Sequence, residues 1–146
     1  MINFIELKSV DVPAILLIEK QAQFNPWSEQ MFNDAITAGN YCCGLIFNNN
    51  LIGYAILSTV QDEAELLTIC IHPDYQARGY GKILLTHLLT YLTKKQVKNL
   101  FLEVHVANQQ AIQFYQQVGF EQIGQRLGYY NHAHTPGDAL TFKLSL

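Results

Sequence analysis

The stretch from Glu65 to Leu92, ELLTICIHPDYQARGYGKILLTHLLTYL, constrains this chain more than any other. Glu65 to Ile71 is short and apolar and ends at the turn signal His72-Pro73-Asp74, which predicts a buried strand. From Ile83 to Leu92, the residues Leu84, Leu85, Leu88, Leu89 and Leu92 recur at helical spacing and form one wide apolar face. Between strand and helix lies Gln76-Ala77-Arg78-Gly79-Tyr80-Gly81-Lys82, where glycines strip away side chains at the turn. The first turn of a helix has unpaired N–H groups and the positive end of the helix dipole, so such a turn favours a phosphate. Read more plainly, Gly79 and Gly81 serve backbone geometry in an ordinary strand-to-helix turn.

Two phosphate motifs can be tested and neither fits. A P-loop needs Ser or Thr after its Gly-Lys, and a glycine five residues before the second; here Ile83 follows Lys82, and position 76 is Gln. A dinucleotide fingerprint needs a third glycine at position 84, which is Leu. What remains is Gln-x-x-Gly-x-Gly, preceded by a strand and opening a leucine-rich helix.

Length and charge narrow the classes. With 146 residues there is chain enough for one domain with a sizeable core. No run approaches the ~18 apolar residues of a membrane helix. MINFIELKSVD lacks the basic start and apolar stretch of a signal peptide. A cytoplasmic location is expected, and no membrane partner. The cysteines agree: Cys42, Cys43 and Cys70 are odd in number, adjacent Cys42 and Cys43 would face opposite ways in a strand, and all three are read as reduced and structural. A net charge of −3 offers no basic footprint for nucleic acid, although a mildly acidic surface suits a basic protein substrate.

Taken in order, Asn3–Leu7 is predicted as a strand and Val12–Gln23 as a helix, with Asp11 as its N-cap and Pro13 in its first turn. Pro26 breaks that helix and Ser28 caps the next. Trp27 and Phe32 take the two positions of a hydrophobic staple; Trp27 is read either as that staple or as a wall of a substrate cleft. Tyr41–Phe47 and Leu51–Val60 form a hairpin about Asn48-Asn49-Asn50 and continue into the Glu65–Ile71 strand as an antiparallel meander. Leu100–Val106 follows the long helix as a strand, parallel to Glu65–Ile71 on the other side of the glycine loop. Asn108 caps a helix that runs to Val118 and stops at Gly119. Phe120–Gln125 and Ala139–Leu144 close the sheet around the loop Tyr129–Asp138.

Several residues could carry chemistry. Glu103 lies mid-strand in LFLEVHV, sharing a face with Phe101 and His105. In an interior strand, burial would raise its pKa toward that of a general base; in an edge strand it would be a wetted Glu. Tyr115 shares a helix stripe with Asn108 and Ile112, and is either core or a hydroxyl donor at the site. Asn108 is a helix cap first and a cofactor contact second. His105 is a candidate second base. His132, His134 and Asp138 are rejected as metal ligands, because no pair at zinc-site spacing accompanies them and Pro136-Gly137 reads as a turn; His72 is likewise a turn residue.

YQARGYGKILL and LEVHVANQQAIQFYQQVGF resemble the two best-marked segments of the GNAT N-acetyltransferases, while FNPWSEQMF and GYYNHAHTPGDAL resemble the RimI-type N-terminal branch of that family. The resemblance covers nearly the whole chain. It implies a single α/β GNAT domain over residues 1–146, with a mixed, mostly antiparallel sheet, helices on both faces, and acetyl-coenzyme A where two central parallel strands separate. It implies no metal. Main-chain groups of Ile69, Cys70 and Ile71 would meet the pantetheine arm, and the amides of Ala77, Arg78, Gly79, Tyr80, Gly81 and Lys82 would hold the pyrophosphate. Glu103 would be the general base, Tyr115 the general acid and Asn108 a cofactor contact. Trp27, Tyr129 and Tyr130 would line the peptide entrance. The implied acceptor is a protein N-terminus, an alanine of a small-subunit ribosomal protein. One departure stands out: such enzymes often carry Arg after LEV, and here it is His105, which could shift substrate preference.

An amine must lose a proton before it attacks a thioester. An α-amino group, with a pKa of ~7.7–8.0, loses it at neutral pH for about 1 kcal/mol, whereas lysine, at ~10.4, needs roughly 4–5 kcal/mol. A single carboxylate suits the first, in a direct transfer without an acyl-enzyme. Two other functions are compatible with the sequence: acetylation of a small amine or lysine side chain, and a non-catalytic acyl-coenzyme-A sensor.

Overall fold

A computed structural model describes residues 1–146. All seven strands join one sheet in the order β1-β2-β3-β4-β5-β7-β6. They are β1 (Ile2–Glu6), β2 (Tyr41–Phe47), β3 (Asn50–Val60), β4 (Glu63–Ile71), β5 (Asn99–His105), β6 (Glu121–Arg126) and β7 (Ala139–Ser145). Only β4 and β5 run parallel. The helices are α1 (Val12–Ala22), α2 (Glu29–Thr37), α3 (Tyr80–Lys94) and α4 (Gln109–Val118).

The sheet separates two apolar layers. Val12, Ile15 and Ile18 of α1 and Phe32 and Ala35 of α2 pack with Cys42, Tyr54 and Ile56 on one face. Leu84, Leu85, Leu88 and Leu92 of α3 and Ile112 and Tyr115 of α4 pack with Cys43, Leu57 and Phe142 on the other. Neighbouring Cys42 and Cys43 therefore face opposite layers, and all three cysteines are free and buried. No helix is long and apolar enough to cross a membrane.

Local chemistry explains most boundaries. Asn48 and Asn49 take positive φ (49° and 67°) in the β2–β3 turn. Ser28 accepts from Met31 N at 3.2 Å, and Trp27 packs against Phe32 with ring centroids 5.0 Å apart, so cap and staple both form. Asn108 accepts from Ala111 N at 3.2 Å, and Gly119 ends α4 at φ +113°. Asp11 is the N-cap residue of α1, but its side chain serves a different turn. Its carboxylate accepts from Lys8 N at 2.8 Å, closing the short 3-10 turn before α1, and makes no side-chain bond to α1 itself.

Two irregularities shape the centre. Parallel pairing of β4 with β5 stops at Leu66 and Leu102, after which the strands part. At the same place the β3 pairing shifts: Ile56 and Leu57 face Thr68 and Leu66, leaving Leu67 as an extra residue. Such a bulge reverses strand alternation. Ala64 and Leu66 face the α3–α4 layer before it; Ile69 and Ile71 do so after it, while Cys70 joins the α1–α2 layer.

Candidate functional site

The parted strands open a cleft of about 760 Å³ between β4, the glycine loop, α3 and α4. Helix α3 begins at Tyr80, three residues before the leucine pattern reveals it, because Gly79 closes the turn with φ +88°. The first intrahelical bond is Ile83 N to Gly79 O, so the N–H groups of Tyr80, Gly81 and Lys82 have no helical partner. Ala77 also takes a left-handed φ of +61°, a conformation that costs a non-glycine residue ~1 kcal/mol or more and gathers where backbone N–H groups form an anion-binding concavity. A Cβ on Gly79 would meet nothing within 4 Å, and one on Gly81 only ordinary contacts from 3.7 Å. The space over Gly79 is thus open, as a phosphate cradle requires, while Gly81 lies against Phe114 and Ile71.

Ile69, Cys70, Ile71, Ala77, Gly79, Gly81, Lys82 and Asn108 line this cleft. The carbonyls of Ile69 and Ile71 accept from Gln23 Nε2 (3.1 Å) and Gln76 Nε2 (2.9 Å). Alternation turns the main chain of Cys70 toward its β3 partner Tyr54, and its side chain packs in the α1–α2 layer. Two loop residues turn their side chains elsewhere: Arg78 lies over Tyr75 at 5.9 Å, and Tyr80 packs on Phe47 at 5.7 Å.

A second cavity of about 180 Å³ lies where β4 and β5 diverge on the α1 side. Glu103, Trp27 and Tyr130 line it. Tyr129 does not; it is half exposed, packs on Tyr130 at 4.9 Å and lies under Arg126 at 4.7 Å. Glu103 belongs to an interior strand and is 16% exposed. Arg126 Nη1 donates to its Oε1 at 2.8 Å, while Oε2 is buried with no hydrogen-bond partner. The two cavities share Gln23, Phe24, Ile69, Asn108, Ala111 and Tyr115. Tyr115 is 7% exposed; burial, with Cys70 adding to it, holds its hydroxyl well above the ordinary phenol pKa.

His105 is not a second base. Its Nδ1 accepts from Ala107 N at 3.0 Å, and its Nε2 faces the carbonyls of Thr135 (3.1 Å) and Pro136 (3.0 Å), so both nitrogens are occupied. Asp138, rejected above as a metal ligand, accepts from Gly128 N (2.7 Å) and Gln125 Nε2 (2.9 Å) and so closes the β6–β7 loop. His72 accepts from Asp74 N at 3.0 Å, as a turn residue does.

Sequence reasoning missed four residues. Arg126 reaches Glu103 only because β7 lies between β5 and β6, an order that chain sequence does not disclose. Gln23 and Gln76 satisfy β4 carbonyls left unpaired by the split. Glu19, 1% exposed, accepts from Tyr54 Oη at 2.5 Å and from Trp27 N at 3.0 Å, fixing the Trp27 wall. A charged residue on the apolar stripe Ile15, Ile18, Ala22 was the available signal for it.

Residues 12–120 match the model of the acetyltransferase (GNAT) family. The chain is 36% identical over 140 residues to the [ribosomal protein bS18]-alanine N-acetyltransferase of Escherichia coli strain K12, an alignment covering 96% of this chain and 95% of that one. The crystal structure of the ribosomal-protein-S18-alanine N-acetyltransferase from Escherichia coli superposes with a TM-score of 0.90 at 35% identity, over 99% of this chain and 94% of the other. A GNAT family acetyltransferase from Elizabethkingia anophelis, solved with acetyl-CoA bound, shares the fold at TM-score 0.84 and 18% identity, over 99% and 98% of the two chains.

Proposed function

The chain belongs to the GNAT acetyltransferase family, and from that premise we propose that it moves an acetyl group from acetyl-coenzyme A to the N-terminal α-amino group of a protein. The first-choice acceptor is the N-terminal alanine of a small-subunit ribosomal protein, the specificity carried in the name of the Escherichia coli relative. A ribosomal acceptor implies a cytoplasmic location. One observation carries the reading: two cavities, one built on the glycine loop and one on Glu103, meet at a wall that includes Tyr115.

Acetyl-coenzyme A would supply a thioester carbonyl at that wall. The amides of Tyr80, Gly81 and Lys82, with the turn at Ala77–Gly79, would hold its pyrophosphate. Glu103 Oε2, the free oxygen of a carboxylate oriented through its other oxygen by Arg126, would take the proton of the incoming amine. Tyr115, kept protonated by burial, would give its hydroxyl proton to the departing thiolate. Burial pushes the Cys70 thiol up to about 12, so little thiolate exists at neutral pH, which supports direct transfer over an acyl-cysteine.

Thiol release from acetyl-coenzyme A with peptides starting Ala, Ser, Met or acetyl-Ala tests this. Free Ala peptides are expected to turn over best. Glu103→Gln and Tyr115→Phe should each slow kcat by about 10²–10⁴-fold while remaining folded. Turnover confined to small amines or lysine would overturn the acceptor; tight coenzyme binding without turnover on any amine would leave a sensor.

A further inference from the structure

Two loops meet over the small cavity. The segment joining α1 to α2 supplies Phe24, Asn25 and Trp27; the segment joining β6 to β7 supplies Tyr130, Thr135 and Pro136. Asn25 and Thr135 exchange two hydrogen bonds: Thr135 N donates to Asn25 Oδ1 at 2.6 Å, and Asn25 Nδ2 donates to Thr135 O at 3.1 Å. The Thr135 hydroxyl adds a third, to Phe24 O at 3.1 Å. His105 stands beneath this junction at the end of β5, two residues after Glu103, and is only 6% exposed. Because its Nδ1 accepts from Ala107 N, a neutral ring carries its hydrogen on Nε2, pointed at the Thr135 and Pro136 carbonyls. Its plane stacks on Tyr130 at 5.0 Å and lies 5.4 Å from Phe24. Gly137 approaches so closely that a Cβ there would come within 2.7 Å of the ring.

We propose that His105 is a positioning residue that latches the two loops together over the acceptor cavity and so sets how tightly the acceptor peptide is held. Phe24 on one loop and Tyr130, Thr135 and Pro136 on the other all bear on the same imidazole, and His105, Phe24 and Tyr130 line the cavity. Of the latched residues only Phe24 reaches the large cleft, whose walls include neither His105 nor Tyr130, so the effect falls chiefly on the acceptor. The inference rests on the reading of the small cavity as the acceptor site.

The test is steady-state kinetics of the full chain with an Ala-starting peptide and acetyl-coenzyme A. His105→Ala is expected to raise the peptide KM about tenfold or more, the loss of one to two net hydrogen bonds, with kcat and the acetyl-coenzyme A KM unchanged. His105→Gln, which keeps a donor toward the Thr135 carbonyl, should recover part of that loss. Asn25→Ala should raise the peptide KM too, and the double variant should lose less than the product of the two single effects, because both act through one latch. A peptide KM unchanged in folded variants overturns the proposal. So does a fall in kcat alone, or an equal rise in both KM values. Hydrogen exchange of residues 24–27 and 129–136 in His105→Ala, expected to quicken in both segments together, decides the latch without substrate. A parent inactive on every N-terminal peptide would therefore sink the functional reading and leave the latch to that measurement.

Discussion

Replacing Gly81 with alanine should make the protein more stable and its coenzyme binding weaker. Gly81 is the second residue of α3 and has no left-handed φ. A Cβ there would sit 3.7 and 3.8 Å from the Phe114 ring and 3.9 Å from Ile71, all ordinary van der Waals distances. Alanine in a helix is favoured over glycine by about 0.5–1 kcal/mol, with the lower end appropriate to a first turn. For a domain of this size that is a rise in Tm of ~1–3 °C without ligand. Gly81 lines the cleft, so the same methyl would also take room beside the N–H group proposed to meet the pyrophosphate. A hydrogen bond to a charged group contributes about 1.5–3 kcal/mol, so its loss should raise the Kd for coenzyme A by roughly 10- to 150-fold. Thermal unfolding of the free protein and calorimetric titration with coenzyme A read the two effects separately. Gly79 cannot make this separation, because its φ of +88° would strain any side chain, with or without a ligand. A stabilised Gly81→Ala variant that binds coenzyme A as the parent does would refute the cradle. A destabilised one would refute the packing argument.

Glu19 gives a pH-dependent prediction. Burial raises its pKa above the usual carboxyl value, so the native state holds that proton more tightly than the unfolded chain. Its contribution to stability is then full below the unfolded carboxyl pKa of ~4.3 and is lost as pH rises through the folded value. Relative to the parent, Glu19→Gln should gain stability as pH rises from acid to neutral, read by urea unfolding at several pH values; a difference constant with pH would refute the assignment. Ser28→Ala removes the cap of α2 and should lower unfolding free energy by about 1 kcal/mol in chemical denaturation. No loss would mean that the Trp27–Phe32 staple alone holds that turn.

The sequence displayed whatever depends on neighbours in the chain. The strand-loop-helix of residues 65–92, the Ser28 and Asn108 caps, the Asn48–Asn49 turn and the parallel pair all follow from local pattern. Glu103 and Tyr115 were visible as chemistry out of place, a carboxylate within an apolar strand and a hydroxyl on a helix stripe. What could not be read depends on strand order and register. Arg126 is 23 residues from Glu103 in the chain, and its reach across β7 exists only in the assembled sheet. His105 is a candidate second base in the sequence because a histidine sharing a strand face with Glu103 invites that reading; its Nε2 is occupied by carbonyls from a loop 30 residues away and its Nδ1 by Ala107 N. Asp11 stands at the N-cap position of α1 as expected, but its carboxylate is taken by the short 3-10 segment that precedes the helix, which the sequence Ser9-Val10-Asp11-Val12 does not disclose.

Both cavities trace to one place in the sheet. Four residue pairs hold β4 to β5, from Glu63 and Asn99 to Leu66 and Leu102, and then the pairing ends. Strands that merely parted would leave main-chain groups of β4 without partners inside the protein, at a cost of ~1–3 kcal/mol each. Here Gln23, just past the end of α1, and Gln76 of the glycine loop donate to the Ile69 and Ile71 carbonyls. The bulge at Leu67 does the rest. Without that extra residue, alternation would carry Thr68 and Cys70 onto the α3–α4 layer, and Ile69 and Ile71 away from it. With it, the α3–α4 side of the split keeps an apolar floor, while Cys70 contributes to the buried cluster that includes Tyr54. Glu103 and Tyr115 then face the gap from β5 and α4, elements that no local turn connects to β4. A strand that stops pairing and shifts phase at the same residue therefore brings the glycine loop and a carboxylate to opposite sides of one wall.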